Sequence, residues 1–140
     1  MRNFLRLRGG ILVAAALLLG MPEVNAHHSA SMFDFSRSLT LDGTVKELRW
    51  VNPHVSVLVY GTTEVNAAPT DWLLETTSPS VLVRLGWTRA SLKVGDHVRA
   101  QVFPLRDDDA HGGLLGTLTM VDSGKRFSTN IGDQERPNLQ

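Results

Sequence analysis

Residues 39–51, LTLDGTVKELRWV, carry two incompatible alternations: Leu39, Leu41 and Val45 share one parity, Leu48 and Trp50 the other. Successive side chains of a β-strand point to opposite faces, so a strand that keeps one face apolar changes parity only by taking in an extra residue. The pattern therefore predicts a β-bulge between Gly43 and Glu47, and with it a sharp local bend. A long strand bent in the middle can pair with different neighbours on its two halves, as a small closed barrel requires.

The rest of the chain fits that demand. Asn52-Pro53 interrupts pairing, and HVSVLVY (54–60) resumes as a strand with Val55, Val57 and Val59 on one face. A loop leads to DWLLETT (71–77), a third strand in which Trp72 and Leu74 oppose Leu73 and Glu75. A short helix follows, with Ser78 as N-cap, Pro79 at the first helical position, Val81, Leu82 and Leu85 on one side, and Gly86 at the exit. Val94-Gly95-Asp96 turns into a fourth strand with Val98, Ala100 and Val102 inward, RDDDAHGG forms a polar hairpin loop, and LLGTLTMV makes a fifth strand closed by Asp122-Ser123-Gly124. Five strands, the first long and kinked, with one short helix between the third and fourth, are the element order of a small OB-like β-barrel. The rival all-β fold, an immunoglobulin-like sandwich, asks for about seven strands and no helix.

The first 26 residues read as a secretory signal: Arg2, Arg6 and Arg8 precede the apolar run ILVAAALLLG, and Val24 and Ala26 fit a cleavage site. The run is too short for a stable membrane span, which needs about 20 apolar residues. The expected organisation is a signal over 1–26, a flexible segment over 27–38, the barrel over 39–128 and a polar tail over 129–140, with a periplasmic location. The signal holds three of the 14 basic and one of the 14 acidic residues, so the remainder is slightly acidic, which argues against a nucleic-acid partner. Without any cysteine, a metal would have to be held by histidine, carboxylate or backbone groups.

Four stretches in order, AHHS at the mature start, WVNPH at 50–54, SPSVLVRLGWTRASLKVGD at 78–96 and the glycine-containing last hairpin, resemble a family of small secreted bacterial proteins of unknown function. The resemblance covers nearly the whole mature chain. It implies an exported, barrel-like domain without an established substrate.

Cleavage after Ala26 would leave His27 first, and a terminal histidine can chelate Cu(II) through its amine and its ring Nδ1 together, with a second imidazole completing a three-nitrogen site. His28, His54, His97 and His111 are the available imidazoles, of which His28, His54 and His111 are the candidates beside His27. The plain alternative is a frayed terminus with solvated histidines. His54, after the Asn-Pro break, and His111, in the fourth loop, belong to the two connections that flank the ligand face of an OB barrel, and the expectation is that both lie towards one end, with Asp107 to Asp109 nearby. Their plain alternatives are a simple turn and a solvated hairpin tip. His97 alternates with the inward Val98 and is expected at the surface, and the three Asp lack the spacing of a calcium loop.

Trp50 and Trp72, with Asn52, His54 and Glu75, form the candidate ligand-binding set, the tryptophans as a stacking platform for a ring; against this, large aromatics in a small domain commonly fill its core. Glu75 is expected to pair with Arg49 or Arg84. No carboxylate pair, nucleophile elbow, phosphate-cradling glycine loop or thiol is present to suggest an enzyme. The sequence thus points to a non-catalytic exported binding domain for a small ligand or an envelope protein, with Cu(II) as a possible metal and no stable membrane insertion once processed; the alternative is an accessory subunit docking through the face of Trp50 and Trp72.

Overall fold

In a computed structural model, which describes residues 30–131, the chain forms β1 (Leu39–Arg49), β2 (Ser56–Thr62), β3 (Thr70–Glu75), helix α1 (Pro79–Arg84), β4 (His97–Pro104), β5 (Gly112–Met120) and β6 (Arg126–Ser128), preceded by a 3-10 turn at Ala30–Met32. The strands run in the order β3-β2-β1-β4-β5-β6, and β3 also pairs in parallel with β5, which closes β1 to β5 into a barrel. The fold is all-β with one short helix, in the strand connectivity of an OB barrel. The signal region and the histidine pair His27-His28 lie outside the described residues.

Closure depends on β1. Its first half pairs with β4, from Leu39↔Val102 to Thr44↔His97, while its second half pairs with β2 as far as Arg49↔Ser56. The register slips between Val45 and Glu47, inside the interval where the parity change demanded a bulge. Gly43 and Gly61 face each other beside it, and a Cβ on Gly43 would lie 2.6 Å from the Tyr60 carbonyl oxygen and 2.8 Å from the Gly61 Cα, so β1 and β2 approach this closely only because neither residue has a side chain.

The alternating valines and leucines fill the interior: Leu41, Val45, Val57, Val59, Leu74, Val98, Ala100, Val102, Leu115 and Leu118 are all buried. Trp87 and Leu82 join the same core, and each fully buried large aliphatic contributes about 1.5–3 kcal/mol of transfer free energy. Ser78 occupies the N-cap position with extended backbone, but its hydroxyl contacts that of Ser80 (3.1 Å) and does not cap the helix. Its carbonyl oxygen instead accepts from Val81 and Leu82 (both 3.1 Å), and Gly86, at φ +86°, ends the helix as expected.

Two features have no counterpart in the sequence pattern. A second bulge at Gly116 of β5 shifts the β4–β5 register between Gln101 and Val102, and the freed Gly116 carbonyl accepts from the backbone N–H and the hydroxyl of buried Thr129 (both 3.0 Å). The short β6 pairs with β5 and brings Phe127 against Trp87, whose indole N–H donates to the Ser128 carbonyl (2.7 Å).

The described part of the segment expected to be flexible is seated on the barrel. Phe33 is only 5% exposed and bridges to Leu105, Asp34 N–H donates to the Pro104 carbonyl (2.8 Å), and Arg106 N–H donates to the Met32 carbonyl (2.9 Å). Phe35 stacks on Phe103 at 5.5 Å between centroids. The local sequence is polar and non-periodic, so only the hollow offered by the end of β4 gives these two aromatics a place to pack.

Candidate functional site

The bulge in β1 builds the main surface site. Without it, Glu47 and Arg49 would share the inward parity of Val45; the extra residue turns both outward. On β2 and β3 the outward positions are Ser56, Leu58, Leu73 and Glu75, and the registers align them in two rows, Arg49–Ser56–Glu75 and Glu47–Leu58–Leu73. This is the face of β2 and β3 that OB folds use for ligands. Val51, Asn52, Pro53 and His54 close one end of the rows, giving an open groove of about 260 Å³ bordered by Arg49, Ser56, Leu73 and Glu75. It adjoins a second hollow along Glu47, Leu58 and Leu73.

Of the proposed ligand set, the structure gathers Asn52, His54 and Glu75 here. His54 Nδ1 is hydrogen-bonded to Glu75 Oε1, both side chains being part-buried, so the partner of Glu75 is His54 and not Arg49 or Arg84. Arg49 turns instead to Glu47 (3.4 Å). With the carboxylate accepting, Nδ1 donates, and Nε2 has no hydrogen-bond partner among the described residues.

Trp50 and Trp72 do not belong to this groove. They are 9% and 7% exposed and sit in the hydrophobic core, so they offer neither a stacking platform nor a docking face. The reason for Trp72 is its parity: it alternates with Leu73 and shares the inward side with Leu74. Its indole N–H is buried and finds no partner among the described residues, which costs about 1–3 kcal/mol if left dry.

His111 packs edge-on against this same indole, centroids 5.3 Å apart at 87°, and both line a hollow of about 140 Å³ with Thr62, Thr63, Glu64 and Thr70. The expectation that His54 and His111 lie towards one end of the barrel is corrected by topology. β1 and β4 are antiparallel, so the loops that follow them leave from opposite ends. His54 reaches Glu75 at the C-terminal end of β3, whereas the His111 carbonyl accepts from Leu73 N–H (3.2 Å) beside Trp72. Trp72 and Glu75 are three residues apart, about 10 Å along a strand. Among the described residues, no three His, Cys, Asp or Glu side chains are grouped to hold a metal ion.

A third cluster was not anticipated. Asp42 on β1 accepts from Arg99 Nε (3.0 Å) and Nη2 (2.8 Å) on β4, and its other oxygen lies 2.8 Å from His97 Nε2. The hydrogen bond from Arg99, then that with His97, holds the Asp42 carboxyl below the usual carboxylate range. His97 is exposed, as alternation predicts; its partner follows from the register Asp42↔Arg99, which no local pattern announces.

No curated protein and no solved structure matches the chain. The family model described as "Family of unknown function (DUF6152)" matches residues 16–114, a span that contains the bulged first strand, the whole groove and His111, and the chain belongs to that family.

Proposed function

We propose that this is a non-catalytic binding domain, exported to the periplasm by a cleaved N-terminal signal, whose ligand lies in the groove on the outer face of β2 and β3. The single observation that carries this reading is the composition of the groove: aliphatic Leu58, Leu73 and Val51 beside Arg49, Asn52 and an oriented His54–Glu75 pair. Apolar walls with a few fixed polar groups are what a small-ligand or peptide site needs. The opposite charges of Arg49 and Glu75 suit a ligand carrying both donors and acceptors, such as a short peptide, better than a polyanion. Leu73, 55% exposed between polar neighbours, is the apolar contact such a ligand would cover.

The proposal includes Cu(II), chelated by the amine and ring of His27 once the signal is removed, with His54 or His111 as the further imidazole. The supporting points are the absence of thiols, the exposed His111, the unpartnered Nε2 of His54, and the high place of Cu(II) in the affinity order for nitrogen ligands.

The groove is tested by titrating the ¹⁵N-labelled processed domain with a panel of short peptides and neutral oligosaccharides. Binding that perturbs the amides of Arg49, Ser56, Leu73 and Glu75 and disappears in Leu73→Asp supports the reading. Saturable binding that perturbs another face, or no binding by any panel member together with stable co-purification in a larger envelope assembly, favours an accessory subunit instead.

A further inference from the structure

The groove on β2 and β3 holds opposite charges at a spacing set by the sheet, with unused hydrogen-bonding capacity at each. We propose that it takes a short peptide by both ends at once: the terminal carboxylate on Arg49, the terminal ammonium on Glu75, and an aliphatic side chain on Leu58 and Leu73. This rests on the reading above that the groove is the ligand site, and adds the ligand's length and the chemistry of its ends.

Arg49, Ser56 and Glu75 form one row across β1, β2 and β3, through the pairs Arg49↔Ser56 and Ser56↔Glu75. Two strand spacings separate the outer members, about 9.5 Å between backbones, and all three border the same hollow. At one end, the only contact of the guanidinium among the described residues is from Nε to Glu47 Oε1, 3.4 Å long between side chains 63% and 51% exposed. So solvated an ion pair holds little free energy, and both Nη nitrogens are left to grip a carboxylate side by side. At the other end, His54 Nδ1 donates to Glu75 Oε1, which orients the carboxylate and leaves Oε2 without a partner among the described residues. The Ser56 hydroxyl between them is likewise unpartnered there and can serve a peptide N–H or carbonyl.

The neighbouring rows decide what lies beside the two ends. Two residues along the strands, about 7 Å away, the row is Leu58 and Leu73, the latter 55% exposed, and a ligand side chain pointing along the sheet covers it. In the next row Lys46 Nζ reaches both oxygens of Asp71 (2.9 and 2.8 Å) beside the Tyr60 ring. Those charges satisfy each other and do not compete for the ligand's ends. The face as a whole mixes both signs, so a ligand of one sign meets repulsion somewhere on it, whereas a zwitterion finds a partner for each charge.

Length follows from the same row. Extended chain advances about 3.3–3.6 Å per residue, so the amine and carboxylate of a dipeptide or tripeptide stand about 7–10 Å apart. A single amino acid is too short to meet both charges. A longer chain must bow away from the sheet or release one end.

The test titrates the ¹⁵N-labelled exported protein with the tripeptide Ala-Leu-Ala free at both ends, N-acetylated, C-amidated, or capped at both. The free form should bind tightest, and each single cap should weaken it about five- to tenfold, between the effect of a solvated ion pair and that of a charged hydrogen bond. Amidation should diminish the shift of the Arg49 resonances and acetylation that of Glu75, a comparison made in the unmutated protein. Arg49→Gln should abolish the discrimination between acid and amide alone, and Glu75→Gln, which keeps an acceptor for His54, that between amine and acetyl alone. Equal binding of free and capped forms in the groove, sensitivity to one cap only, a variant that weakens all forms alike, or a hexapeptide bound as tightly as the tripeptide overturns the two-ended assignment and leaves the groove as the ligand site. If no form perturbs Arg49, Ser56, Leu73 or Glu75, the groove reading itself fails with it.

Discussion

The imidazole of His111 meets the indole of Trp72 edge to face, 5.3 Å between centroids, although the two residues are 39 positions apart in the chain. The contact exists because β3 and β5 pair in parallel, with Leu73 opposite Gly112. It joins a residue expected as a metal ligand to one expected as a stacking surface, and leaves the indole N–H buried without an acceptor among the described residues.

Trp72 and Trp87 should respond differently to the same change. Both are core tryptophans, but Trp87 donates to the Ser128 carbonyl (2.7 Å). Trp87→Phe removes that bond, whereas Trp72→Phe removes an unpaired donor. Urea unfolding should find Trp87→Phe about 1–3 kcal/mol more destabilising than Trp72→Phe. Equal losses would mean that the Trp72 N–H is satisfied in solution.

The close approach of β1 and β2 makes Gly43 intolerant. Gly43→Ala places a methyl group 2.6 Å from the Tyr60 carbonyl oxygen and should cost about 1–3 kcal/mol in chemical denaturation. An effect within a few tenths of a kcal/mol would show that the bulge flexes to make room.

Phe33 anchors residues 32–34 to the barrel. Phe33→Ala should cost about 3 kcal/mol, the lower end for a buried phenylalanine because it packs at the edge of the core. Hydrogen exchange at the Asp34 and Arg106 amides, which bond across this junction, should accelerate with it. Unchanged protection would place the anchor elsewhere.

Asp42 makes one part of stability pH-dependent. Its carboxyl titrates below the usual range in the folded state because of Arg99 and His97, so the folded chain binds this proton less readily than the unfolded chain. The stabilisation is therefore complete above the unfolded value near 3.9 and is lost as pH falls through the folded value. The ion pairs are partly solvated, so Asp42→Asn should cost only about 0.5–1 kcal/mol at pH 7, and the difference from wild type should vanish in acid melts well below pH 4. A difference that persists there would assign the loss to packing.

Much of the fold is legible in the chain's local patterns. The parity change at Leu39 to Trp50 locates the bulge, the valine alternations at 55–59 and 98–102 orient two strands, and Pro79 and Gly86 bound the helix. The candidate site is legible in part: Asn52, His54 and Glu75 do share one groove, but Trp50 and Trp72 turn into the core. The Gly116 bulge and β6 are not legible, because three-residue pairing and a glycine in a strand leave too little pattern to read.

What the sequence by itself determined was local: which side chains alternate, where the chain must turn, and where a strand must bend. These follow from backbone sterics and burial within a few neighbouring residues. Only the tertiary structure decided that His54 binds Glu75, that Asp42 lies between His97 and Arg99, that residues 31–37 grip the β4–β5 loop, and that His54 and His111 stand at opposite ends. Each of these depends on the register and direction of strands distant in sequence, and those are set collectively when β3 meets β5 and the barrel closes.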